Sequence, residues 1–494
     1  MGEIQRQSIK GTIYSYIGVV LGFITTALLY PFILTEDEVG VTKLLLSYSV
    51  LAAQFAGLGF NGVTVRLFPY FRDKSTGNKG FLYLALIIFG IGIIIGLGGL
   101  LLLQPWIISQ GAEKSAFFAQ FFSLIYPLVV FQLLFATLDN YYTQLYKSTF
   151  SFFLREVFQR VSIIAAIAAM YFNIIDFNGF IYAFVFIVCF PTILLIWQIK
   201  RDGLLEINPT LKHIDKALWK EIIVVSGYSI MTSFTGVVIL NIDSIMLSTM
   251  AGIGATGIYA INYFFGVMIQ VPARPMIKIS NAVISDAWKK NDIETIKNVY
   301  RKSTITQFVI GSILLILLLI NIDSIYQYLP KVYSEGRYVL ILIAIASWIE
   351  MITGVSKSVL GTSDKYMIQT LAMIGLAILV VLTNYIFIPI YGLNGAALAS
   401  FISITAFNAF RYFYIWYQFK MQPLGIVHFK ILILTLSLYL FSFLLPMTNN
   451  YLIDVPYRSF VIFALFMFIS FYMRISDDIN NFIKNNIIFK NKKY

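Results

Sequence analysis

Long uninterrupted apolar runs alternate with short polar breaks along almost the whole chain. A helix needs about 20 apolar residues to cross a hydrocarbon core of about 30 Å. Fourteen stretches meet that length, near 11–34, 41–66, 80–103, 115–138, 155–173, 178–198, 222–247, 254–277, 303–321, 337–359, 366–388, 393–416, 427–446 and 456–474. They are continuous and long, whereas barrel strands run about ten residues and alternate. The pattern therefore predicts an all-α polytopic integral membrane protein with about 14 transmembrane helices. The connections are short. The longest, 199–221 and 278–302, have room for no more than a short surface helix, so no soluble catalytic domain is expected.

Composition supports this pattern. Of 494 residues, 59% are hydrophobic and 12% charged, and the mean hydropathy is +0.80. A soluble domain carries about 25% charged residues, so a soluble enzyme, a disordered chain and a disulfide scaffold are all excluded. Cys189 is the single cysteine, and His213 and His428 are far apart. Neither a disulfide nor a metal site follows from them. The polar opening MGEIQRQSIK precedes an apolar stretch too long for a signal sequence, which is read as a retained first span.

The net charge of +12 is read as topology rather than as affinity for nucleic acid. With both termini inside, 31 of the 36 Lys and Arg fall on inner segments or adjacent helix ends. Only Lys43, Lys114, Lys331, Arg337 and Arg458 fall outside. That asymmetry predicts cytoplasmic termini.

A weak internal echo recurs at an offset of about 216–217 residues. Glu38-Val39-Gly40-Val41 opens the second span, and Ala255-Thr256-Gly257-Ile258 opens the eighth. Asn178-Gly179 and Asn394-Gly395 open the sixth and twelfth. Six spans followed by six of the same orientation form a parallel repeat. The expected organisation is a six-helix bundle at 1–198, a cytoplasmic linker at 199–221, a second six-helix bundle at 222–416, and two extra helices with a basic cytoplasmic tail at 417–494. Two bundles around a cleft suit alternating access.

Charges inside spans are costly and mark pathways. Arg66, Arg155, Arg160, Arg274, Lys278, Lys357 and Arg411 lie on the inner third. They either line a cationic mouth that takes a phosphate-bearing substrate or snorkel to lipid headgroups as anchors. Arg66 and Arg411 are the most embedded in apolar sequence. Glu350 and Asp243 are the central carboxylates. Each either serves ion coupling, with Asn241, Thr383 and Asn384 as companions, or neutralises a neighbouring helix, as Glu350 would with Lys357. Asp139, Asp176 and Asp323 are read as solvated. Tyr141-Tyr142 and Tyr412-Phe413-Tyr414 fit an interfacial belt or a sugar platform. The segment 278–302 is amphipathic and suits the cytoplasmic leaflet.

These features together resemble the Wzx-like polysaccharide flippases of the multidrug/oligosaccharidyl-lipid/polysaccharide exporter superfamily. The resemblance is carried by Ser8-Ile9-Lys10-Gly11-Thr12, Gly40, the stretch Asn241 to Leu247, Gly257-Ile258-Tyr259-Ala260, the segment from Pro272 to Ser303, and Asn394-Gly395-Ala396-Ala397. It implies a transporter without catalytic residues, resident metal or cofactor, coupled to H⁺ or Na⁺. The implied cargo is an undecaprenyl-pyrophosphate-linked oligosaccharide of O-antigen or capsule synthesis. It would move from the inner to the outer leaflet of a bacterial cytoplasmic membrane. The polysaccharide polymerase and chain-length machinery are the implied protein partners, and a monomer the implied state. The sequence departs from the family in two places. Asp243 is followed by Ser244 where relatives often carry Arg or Lys. Span eleven offers Thr383 and Asn384 where related lipid-precursor flippases carry an acidic Na⁺ ligand. A cation-coupled drug exporter and a membrane glycan polymerase are the competing readings. The first lacks its usual carboxylate in span one, and the second lacks a large outer loop.

Overall fold

The computed structural model describes residues 2–73, 78–110, 116–212, 214–448 and 450–475, with no strand among them. Lys74, Lys114, His213 and the basic tail after residue 475 lie outside the described residues. Among the described residues, twelve helices are long and apolar enough to cross a membrane. They are α1 Lys10–Ile33, α2 Glu36–Ala56, α3 Asn78–Ser109, α4 Phe117–Gln144, α5 Phe177–Arg201, α6 Lys216–Met250, α7 Ile253–Gln270, α8 Ile293–Ile320, α9 Tyr366–Tyr391, α10 Leu393–Phe419, α11 Ile426–Leu444 and α12 Tyr451–Tyr472. The chain is an all-α, multi-pass membrane protein.

The two remaining expected spans are helical but differ from the rest. The stretch near 155–173 is built from the consecutive pieces Thr149–Phe153, Leu154–Phe158 and Gln159–Tyr171, the middle one a π-helical turn. Arg155, Glu156 and Arg160 dilute its apolarity. The stretch near 337–359 stops as the helix Arg337–Ile352, turns at Gly354 with φ 56°, and resumes as Ser356–Gly361.

Helix starts follow local chemistry. Thr35 and Glu38 form a reciprocal capping box at α2. Asp176 caps α5, Asp215 caps α6 and Asp292 caps α8, each accepting from a backbone N–H three residues on. Such caps satisfy donors that the first turn leaves open. At the C-terminal end of α5, burial raises the Asp202 carboxyl. Hydrogen bonds from Lys147 at 2.7 Å and Tyr142 at 2.6 Å outweigh it and hold the group below the ordinary carboxylate range.

The expected second span at 41–66 is not one helix. It breaks at Leu58 and Gly59, both at positive φ, and restarts as the helix Phe60–Phe71. The backbone of α6 at Ser226 and Ile230 occupies the space a Cβ on Gly59 would need. Glycine thus supplies both the left-handed turn and the close approach. The connection 278–302 is also more regular than expected. It holds most of the amphipathic helix Ala273–Lys289 and the first turns of α8. Ile284 and Ala287 of that helix are buried and the Trp288 indole donates to Val359, while Ile279 and Val283 stay exposed.

Packing divides the chain into two compact units. The first is Met1–Ile261 with Val380–Leu393, and the second is Asn262–Leu379 with Asn394–Tyr494. Within the first unit, the two glycines of the sequence echo meet. A Cβ on Gly257 would overlap the Glu36 carbonyl, and one on Gly40 would overlap the Ile253 carbonyl. α2 and α7 therefore cross backbone against backbone, as small residues permit in apolar surroundings. By contrast, a Cβ on Gly98 of α3 meets nothing within 4 Å. Gly257→Ala should destabilise the detergent-purified protein by about 1–3 kcal/mol through overpacking. Gly98→Ala should be neutral or gain up to about 1 kcal/mol of helix stability. Thermal unfolding checks both, and a Gly257→Ala protein as stable as the parent would refute the crossing.

Candidate functional site

Three polar constellations sit inside the helical packing. The first lies in the first unit. Arg155 and Arg160 line a cavity of about 270 Å³ with Gln132, Glu156 and Gln159, over an apolar floor that includes Leu46, Phe135 and Pro191. The π-helical turn at Leu154–Phe158 carries Arg155 and Glu156. Such turns re-aim side chains within a helix and recur at functional sites. The Arg155 guanidinium lies 4.3 Å over the Phe135 ring. That contact covers the π-face of the cation, and the Asp139 and Glu156 carboxylates interact with the same guanidinium. Glu156 pairs with Arg160 at 3.4 Å, one helical turn on. Gly18 and Gly22 of α1 lie against these two side chains and leave them room. Asp139, read as solvated, interacts electrostatically with Arg155 as Glu156 does, so two arginines and two carboxylates meet around this cavity.

The second constellation surrounds Asp243 on α6. Its carboxylate accepts from the Asn384 amide at 2.6 Å and from the Tyr259 hydroxyl at 3.0 Å. The Asn384 carbonyl oxygen is buried and receives no donor among the described residues. Asn241 stands half a turn before Asp243, and its amide oxygen accepts from Ser47 at 3.1 Å and from the Lys43 ammonium at 3.5 Å. Lys43 also interacts electrostatically with Asp243. Thr383 is buried and bonds back to Val380.

The third constellation lies in the second unit and centres on Glu350 of the helix Arg337–Ile352. One carboxylate oxygen meets the Lys357 ammonium at 2.5 Å. The Arg411 guanidinium stands 3.4 Å from both oxygens. Asn408 donates to the other oxygen at 2.6 Å, and its own carbonyl accepts from Arg411 and from the Thr353 hydroxyl. The Arg411 guanidinium also lies 4.6 Å over Phe407. Phe407 in turn lines an apolar cavity between α9 and α10 with Leu371, Gly375 and Phe410.

The sequence-predicted residues thus fall into groups. Arg155 and Arg160 come together at one cavity, Asp243 and Asn384 at another point, and Glu350, Lys357 and Arg411 at a third. Arg66, Arg274 and Lys278 stand exposed and join none of these clusters. Tyr141 and Tyr142 are neither belt nor platform. Both are buried, and their hydroxyls donate to the Leu204 carbonyl and to Asp202, where they tie α4 to the end of α5. Asp323, read as solvated, is exposed and pairs with Arg337. The sequence reading missed Gln132, Glu156, Gln159, Lys43, Ser47, Tyr259 and Asn408. Glu156 and Asn408 had a local signal, since they precede Arg160 and Arg411 by one helical turn. Lys43, counted with the outer charges at the start of the second span, lies seven residues, about 10 Å, into α2.

A family model described as polysaccharide biosynthesis protein matches residues 8–280. No curated protein matches by sequence. Among solved structures, the lipid II flippase MurJ in an inward closed conformation superposes with TM-score 0.75 at 16% identity, over 94% of this chain and 99% of that one. An inward-facing multidrug resistance MATE family transporter of the MOP superfamily gives TM-score 0.57 at 14% identity, over 82% and 98%. A MOP superfamily transporter from Pyrococcus furiosus, described as having reversed binding-pocket polarity, gives 0.52 at 17% identity, over 85% and 95%. At these identities the likeness is one of fold, that of MOP superfamily transporters. The family match spans more than half of the sequence, and the chain belongs to the polysaccharide biosynthesis protein family.

Proposed function

We propose that the chain flips a lipid-linked oligosaccharide with a pyrophosphate headgroup from the inner to the outer leaflet of a bacterial cytoplasmic membrane. Both termini face the cytoplasm in this reading, and transport runs by alternating access. The observation that carries it is the Arg155–Arg160 cavity. Two guanidinium groups, two glutamine amides and an apolar floor suit an anionic, polar head attached to a lipid. Arginine forks match phosphate oxygens two at a time, and the glutamines offer donors and acceptors to sugar hydroxyls. Family membership supports the glycan, and the fold relative that flips lipid II supports the lipid carrier.

Asp243 is the coupling residue in this proposal. A carboxylate beside an amide oxygen without a donor is a place for H⁺ or Na⁺. Lys43, reaching the same cluster, is the internal cation that would take over when the coupling ion leaves. Asp243→Asn removes the charge and keeps the shape.

Three outcomes follow. A reporter active only outside the cytoplasm, fused after Tyr494, should stay silent; strong activity would reverse the proposed orientation. Arg155→Ala and Arg160→Ala should each weaken headgroup binding about 10- to 100-fold, the worth of a lost charge-assisted hydrogen bond. Arg→Lys should recover only part, because the planar fork is gone. Export of lipid-linked glycan in a flippase-null strain, at matched protein levels, reads this out; full export by the double alanine variant would refute the cavity as the headgroup site. Asp243→Asn, scored per folded molecule because it leaves Lys43 without its carboxylate, should transport in reconstituted vesicles without responding to an imposed H⁺ or Na⁺ gradient. An unchanged gradient response would remove Asp243 from coupling.

A further inference from the structure

One carboxylate in the second unit serves two cations that differ sharply in access. The Arg411 side chain is 0% exposed and that of Lys357 is 50% exposed, with Glu350 between them. Arg411 is walled by the Phe407 ring and held by Asn408, so no headgroup reaches it without dismantling the packing. Lys357 reaches the surface. The sequence reading grouped both as substrate ligands; the geometry separates them.

We propose that Arg411 is a positioning residue and Lys357 the headgroup contact of this unit. Arg411 claims part of the Glu350 charge, and Asn408 fixes the carboxylate oxygen that Lys357 does not use. The triad carries one negative and two positive charges. The surplus positive charge therefore appears at Lys357, the accessible member. Without Arg411, the Lys357–Glu350 pair would be neutral and Lys357 would be silent toward an anion. This inference rests on the reading above that the headgroup carries phosphate.

The charge arithmetic gives a test whose sign distinguishes the roles. Arg411→Gln leaves a neutral Lys357–Glu350 pair. Glu350→Gln/Arg411→Gln leaves only the exposed Lys357. Neither strands a charge in the interior, which is the costly outcome of breaking a buried pair from one side. The full-length protein is purified into lipid nanodiscs, and each variant is scored per monodisperse molecule. Two quantities are read: the acylation rate of the Lys357 amine, by mass spectrometry, and the affinity for farnesyl pyrophosphate.

Arg411→Gln should slow acylation severalfold and weaken farnesyl pyrophosphate binding about tenfold, the scale of one charge-assisted contact. The double variant should recover both. Arg411→Lys, which keeps the charge, should retain most of the acylation rate. A double variant no more reactive at Lys357 than Arg411→Gln would overturn the inference, because a direct ligand or a purely structural arginine is not rescued by removing its partner. If Lys357 reactivity follows the expected order while farnesyl pyrophosphate binding does not, the positioning role stands and the phosphate reading fails.

Discussion

A chain this apolar must answer its own buried polar groups, because hydrocarbon offers no water to do so. That constraint decides where the helices touch. Glu350 holds Lys357, Arg411 and Asn408 together across three helical segments of the second unit. Asp243 joins α6 to Tyr259 of α7 and to Asn384 of α9. Asn262 donates to the Tyr333 carbonyl and accepts from Tyr326, which fastens the short segment after α8. Arg458 of α12 donates to the Ser442 carbonyl at the end of α11. In soluble folds such polar pins are additions to a hydrophobic core. Here the surroundings are apolar on every side, so burial of side chains discriminates less between neighbours, and the polar pins and close backbone crossings carry more of the specificity.

The crossings use glycine in two ways. At Gly40 and Gly257 its missing side chain lets two backbones touch. At Gly59 and Gly354 its tolerance of positive φ ends one helix and starts the next. The first use ties elements related by the sequence echo. The second turns long apolar runs into bent passages, which re-aims the residues after the bend. Gly354 does this for Lys357, three residues later, and so brings its ammonium back to a glutamate on the preceding helix.

Much of this was legible in the sequence. Apolar run length gave the helices, while the Thr and Asp caps at the starts of α2, α5, α6 and α8 went unread. The break at Gly59 was not legible, because only the α6 backbone packed against it makes that glycine necessary. The ion pair between Glu350 and Lys357 was legible as one of two alternatives. Its third member was not, since Arg411 lies 61 residues from Glu350 and nothing local links them. The contact of Lys43 with Asn241 was illegible for a related reason, since 198 residues separate them and only the fold brings α2 against α6. The Arg155–Arg160 cavity was half legible. The arginines announced themselves by charge, while Gln132 and Gln159 are ordinary polar residues until the fold sets them beside the same space.

The different exposure of the cations also sorts them by their response to dissolved salt. Mobile ions screen charges they can approach, over about 8 Å at physiological ionic strength. They cannot approach Arg411, whose side chain is wholly enclosed. The Glu350–Arg411 attraction is therefore a fixed part of the molecule, as indifferent to the medium as a packed methyl group. Lys357, on the same carboxylate but half in the open, keeps a charge whose reach shrinks as salt rises. The cluster thus holds a constant field source and an adjustable one a few ångströms apart, and the surrounding ionic strength acts on only one of them.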